Sequence, residues 1–66
     1  MSKNTRQWAK RKLASARGGI DSTGQHIYAV SAVYKEHHPE ISDKLDCINA
    51  VLAEIDFMIE AVDKGI

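Results

Sequence analysis

Few residues in this chain could do chemistry, and their spacing narrows what that chemistry is. His26, His37, His38 and Cys47 are the metal-ligating types other than carboxylates. Structural metal sites draw ligands from closely spaced pairs such as C-x2-C or H-x3-H, and neither spacing occurs here. His37 and His38 are adjacent, so on a helix they point about 100° apart. No metal or other cofactor is implied, and a histidine at a helix end instead complements the negative C-terminal dipole. Ser15, Ser31 and Ser42 lack a base placed to activate a hydroxyl, and Cys47 lacks a basic neighbour to lower its thiol pKa. Acid–base catalysis needs converging groups in a pocket that excludes water. A chain of 66 residues has little room for one. We therefore expect a protein that is not an enzyme, with Cys47 a small helix-packing residue.

Positive charge is the second chemical resource. Lys3, Arg6, Lys10, Arg11, Lys12 and Arg17 fall in the first 20 residues with no acid among them. The remainder carries nine acids against Lys35, Lys44 and Lys64. A net charge of zero thus divides into two oppositely charged parts, which suggests an interaction arm or an internal electrostatic match. At about 100° per residue, Lys3, Arg6, Lys10 and Arg17 gather within an arc of roughly 60° and form a candidate partner-binding face. Two chemistries suit it. One is phosphate contact, with counterion release and stacking by Trp8 or Arg. The other is pairing with carboxylates, either on an acidic partner or on Glu54, Asp56, Glu60 and Asp63 of the same bundle. Balanced net charge, and no zinc-finger, helix-turn-helix or RNA-binding signature, favour a protein partner over nucleic acid. A nucleic-acid-binding regulator remains the alternative.

Ser42-Asp43-Lys44-Leu45-Asp46 fits the pattern S-x-x-L-D. In this stretch the chain resembles the short sporulation-type aspartyl-phosphate phosphatases, helical hairpins that dephosphorylate response regulators and carry the motif on their second helix. The resemblance implies that Ser42 and Asp46 would face a response regulator. It covers five residues with three fixed positions. The chain departs from that family in its basic first helix and in the short connection from His37 to Pro39.

Three helices are expected to position these groups. Helix one runs over about 4–17, with Asn4 and Gln7 as a capping box and Gly18 at the C′ position. Ala9, Leu13, Ala16 and Ile20 give it a thin apolar stripe beside Trp8. Helix two runs over about 23–37, capped by Ser22 and Gln25. Ile27, Val30, Val33, Tyr34 and His37 face inward, with Tyr28 and Tyr34 as edge aromatics. It stops before Pro39, because the residue preceding a proline avoids the helical region. Helix three runs over about 40–64, with Pro39 suited to its first position. Ile41, Leu45, Ile48, Leu52, Ile55, Ile59, Val62 and Ile66 follow alternating steps of four and three, the heptad seam of a helical bundle or coiled coil. Ala50, Ala53, Phe57 and Ala61 lie away from that seam, with Val51 and Met58 on its flank. A helix that is apolar on two sides is buried on two sides.

The expected fold is all-α: one domain over 1–66, a short basic N-terminal helix followed by an antiparallel helical hairpin that self-associates into a bundle. A chain this short buries only about 60% of its unfolded surface, and its own core rarely supplies more than about 3–5 kcal/mol. With one cysteine there is no intramolecular disulfide, so association with a second copy is expected to supply the rest. Ile41, Leu45, Ile48, Leu52, Ile55, Ile59, Val62 and Phe57 form the expected oligomer interface, in a dimer or alternatively a tetramer. No signal-peptide pattern or membrane span is evident, so a soluble cytoplasmic protein is expected. The function these features suggest is stoichiometric: a small adaptor or inhibitor that binds a larger macromolecule, of the kind phages and mobile elements encode.

Overall fold

A computed structural model describes residues 3–66, with the backbone alone at Lys3. Two long helices account for nearly all of it. Helix α1 spans Lys3–Tyr34 and α2 spans Pro39–Gly65. They pack side by side as an antiparallel hairpin.

The all-α hairpin follows the sequence pattern, but the expected break at Gly18-Gly19 does not exist. The helices expected over 4–17 and 23–37 are one continuous helix. Neither glycine takes the positive φ of a helix C′ position. The reason lies in the stripe that crosses them. Ala9, Leu13, Ala16, Ile20, Thr23, Ile27, Val30 and Tyr34 follow steps of four and three with no phase shift, so one unbroken helix aligns all eight. A mid-helix glycine costs about 1 kcal/mol relative to alanine, and an aligned stripe along α2 outweighs that penalty. Asn4 and Ser22 consequently lie inside α1 rather than capping separate helices. Gln25 donates instead to Asp21 one turn earlier, at 2.9 Å.

The hairpin turns over residues 35–38, three residues earlier than expected. Pro39 occupies the first turn of α2, and His38 before it lies at φ −139° and ψ 67°, outside the helical region that a residue preceding proline tends to avoid. The turn closes when the His38 amide donates to the Tyr34 carbonyl at 2.8 Å. The rings of Tyr34 and His38 lie 5.9 Å apart across it.

The chain is a thin rod. Its Cα extents are 54 × 15 × 9 Å and its radius of gyration is 15.6 Å, whereas a compact chain of this length would have about 11 Å. No hydrophobic side chain among the described residues is fully buried. The two fully buried side chains are polar: Ser31 and Ser42, at 4% and 2% exposure.

Candidate functional site

Polar residues on both helices repeat every seven positions, and the hairpin brings them face to face. Lys10 Nζ donates to the Asp63 carbonyl at 2.7 Å and approaches its carboxylate at 3.5 Å. Arg17 donates from Nε and Nη2 to the two oxygens of Asp56, at 2.9 and 3.1 Å. Asn49 Nδ2 donates to the Gly24 carbonyl at 3.2 Å. The hydroxyls of Ser31 and Ser42 lie 2.8 Å apart. These four rungs sit one heptad apart on each helix, as antiparallel helices require. Arg6 Nε extends the series by donating to the Ile66 carbonyl at 2.7 Å.

Each rung has its own chemistry. Ser31 Oγ also lies 2.8 Å from Asp46 Oδ1. A carboxylate only accepts, so Ser31 donates to Asp46 and receives the Ser42 hydroxyl proton. Both buried serines are thereby satisfied. At the Arg17 rung, the hydrogen bond from Arg17 holds the Asp56 carboxyl below its ordinary range, and the same bond raises the guanidinium further. Glu60 is also lowered, first by its hydrogen bond with Lys64 and then by the charges of Lys64 and Arg17. It stands 2.9 Å from Lys64 and 3.6 Å from Arg17.

These contacts settle where the basic flank of α1 points. Lys10 and Arg17 bond to the C-terminal half of α2 and Arg6 to Ile66 just beyond its end. The Lys3 side chain lies outside the described residues. Of the acids expected opposite, Asp56, Glu60 and Asp63 take part. Gly24, Ser31 and Asn49 escaped the sequence reading. Their signal was the seven-residue spacing of 10, 17, 24 and 31 on one helix and of 42, 49, 56 and 63 on the other.

The expected oligomer residues divide into three groups. Leu45, Leu52 and Ile59 are half-buried beside α1. Ile41, Ile48, Ile55 and Val62 are exposed. Phe57 is 70% exposed, and at nine residues from Ile48 it points in the opposite direction. Phe57 and the heptad row therefore cannot belong to one flat interface.

Two faces of the hairpin result. One carries a groove of about 450 Å3 whose lining includes Asp21, Gln25, Tyr28, Asn49, Ala53 and Asp56. Asn49 Oδ1 is buried there without a hydrogen-bond partner. Rotation the other way around each helix brings up Ala9, Ala16, Thr23 and Val30 of α1 beside Ile41, Ile48, Ile55 and Val62 of α2. With Leu13, Ile20, Ile27, Leu45, Leu52, Ile59 and Ile66 between them and Tyr34 beside the turn, this second face holds sixteen seam positions, none of them charged; Arg6, one heptad before Leu13, sits at its end.

Ser42 of the S-x-x-L-D stretch is buried against Ser31 and is not presented outward. Among the described residues no group of three or more His, Cys, Asp or Glu is placed to hold a metal ion. No helix among them is long and apolar enough to cross a membrane. Searches among protein-family models, curated proteins and solved structures found no match to this chain.

Proposed function

We propose that this chain is a non-catalytic helical interaction protein that self-associates and binds a larger macromolecule stoichiometrically, as an adaptor or inhibitor. One observation carries the reading: in a chain of 66 residues, the described residues include no fully buried hydrophobic side chain and twelve exposed large ones. Such surface is the mark of a protein interface. A two-helix unit without a core gains its stability by covering it.

A protein partner is favoured over nucleic acid because Arg6, Lys10 and Arg17 of the candidate basic face are engaged within the chain. Among the described residues of α1's first half, Arg11 and Lys12 are the cations outside the cross-hairpin bonds. Two cations support little of the counterion release on which phosphate binding depends. The phosphatase-like reading loses Ser42 as a contact residue, since its hydroxyl bonds Ser31.

Sedimentation equilibrium combined with affinity capture tests the proposal. A mass above one chain at micromolar concentration and recovery of a defined protein at fixed stoichiometry are expected. A single-chain mass at every concentration would overturn the self-association. Retention on DNA or RNA that falls steeply with salt and vanishes in Arg11→Glu/Lys12→Glu would favour the nucleic-acid alternative.

A further inference from the structure

We infer that the uncharged face built from Ala9, Ala16 and Val30 of α1 and Ile41, Ile48 and Ile55 of α2 is the seat of a second copy of this chain. Two hairpins laid face to face form a four-helix bundle with the polar rungs toward its outside. The inference rests on the self-association proposed above and adds which face is used and what is left over.

Surface area supports it first. The chain exposes 5177 Å2. A compact monomer of 7.3 kDa would expose about 4,200 Å2. The excess, about 1,000 Å2 per chain, matches the roughly 800 Å2 per partner that a stable interface buries. One copy on one face accounts for it.

Shape and pattern support it next. Both helices carry an unbroken four-three repeat on this face, the spacing that lets helices pack at the shallow angle of four-helix bundles. Leu13, Ile20, Ile27, Leu45, Leu52 and Ile59 are half-buried by the facing helix; Ile20 and Leu52 also reach the groove on the other side, and a second hairpin here would add to the burial of the row. The outer row of α1 is small (Ala9, Ala16, Thr23) and that of α2 is large (Ile48, Ile55), so small positions are available to receive large ones.

Charge disfavours the opposite face for the same role. There Asp21 and Asp56 line the groove, and Asp46 lies one heptad before Ala53 on the same flank of α2. A copy docked through that side would bring these carboxylates toward their own counterparts, and like charges repel. It would also seal the unpartnered Asn49 Oδ1 deeper. That side, with Tyr28 and Phe57 both more than two-thirds exposed, stays outside the pair and is free for the larger partner.

Thiol protection tests the assignment. In a Cys47→Ser background, Ala16→Cys, Ile55→Cys and Phe57→Cys are alkylated at concentrations below and above assembly, with mass followed by sedimentation. The expected result is a two-chain mass at which Ala16→Cys and Ile55→Cys react at least tenfold more slowly, while Phe57→Cys is unchanged. Ala16→Cys removes no apolar contact and adds one sulfur atom, so it reports even where Ile55→Cys weakens assembly. An oligomeric mass with Phe57→Cys protected, or with no position protected, would overturn the face assignment and leave self-association standing. A one-chain mass for the parent protein at all concentrations would overturn both.

Discussion

Arg17 and Asp56 meet across the hairpin through two parallel hydrogen bonds, 39 residues apart in the chain and with both side chains about one-third exposed. Paired planar groups make this contact directional as well as attractive. It reads the hairpin's register, because a one-residue slip of α2 would turn Asp56 away by about 100°. Arg17→Glu is predicted to lower the unfolding midpoint, since it sets a third carboxylate beside Asp56 and Glu60. Adding Asp56→Arg restores the pair with its charges exchanged. Recovery of the midpoint in the double variant, measured by urea denaturation, checks that the contact itself is responsible. Failure to recover would mean that each side chain acts through other neighbours.

Acid should weaken this end of the molecule. Asp56 and Glu60 both titrate below their ordinary values in the folded chain. A carboxyl lowered on folding contributes stability that is complete above its unfolded pKa of about 4 and lost as pH falls through the folded value. The melting temperature is therefore predicted to fall between about pH 5 and pH 2. Asp56→Asn should show a shallower fall over the same range. Added salt should also reduce the acid sensitivity, because exposed pairs are screened.

Gly18 and Gly19 offer a prediction that separates the continuous helix from the expected break. Neither has positive φ, and a Cβ at either position meets no atom within 4 Å. Gly18→Ala and Gly19→Ala are each predicted to stabilise the chain by about 0.5–1 kcal/mol, by favouring the helix and restricting the unfolded chain. Had these glycines ended a helix in the left-handed region, alanine would cost stability instead. Denaturant midpoints of the single and double variants decide the sign.

The same glycines show where sequence reading reached its limit. Local punctuation argued for a helix end, whereas the stripe from Ala9 to Tyr34 argued for continuity, and the stripe won because α2 runs beside it along its length. The heptad row of α2 was legible from Ile41 to Ile66, since apolar spacing is a strong signal. The partner of each row was not. A helix with two apolar flanks does not say which one its own hairpin covers. That choice rests on Lys10, Arg17, Gly24 and Ser31 matching Asp63, Asp56, Asn49 and Ser42, a relation that exists only once the turn over 35–38 sets the register. Charge asymmetry hinted at two of the four rungs. Ser31, Gly24 and Asn49 are uncharged and small or common, so only their seven-residue spacing marked them.

Asn49 is the rung whose replacement tests specificity against stability. Its Nδ2 bonds the Gly24 carbonyl, but its buried Oδ1 has no partner. An unsatisfied buried acceptor costs about 1–3 kcal/mol. Asn49→Leu removes that penalty and adds apolar contact beside Leu52, while the Gly24 carbonyl remains a helix-interior acceptor. The unfolding midpoint is predicted to rise. An asparagine held between packed helices can fix register and partner number at the expense of stability, so the same variant is predicted to lose uniqueness. Sedimentation should show more than one assembled mass, and the variant should give more amide signals per residue than the parent protein. A more stable variant that keeps a single mass and a single set of signals would assign the register to the charged rungs alone. A less stable variant would mean that Oδ1 is satisfied, for example by a bound water, and that the rung contributes stability as well as specificity.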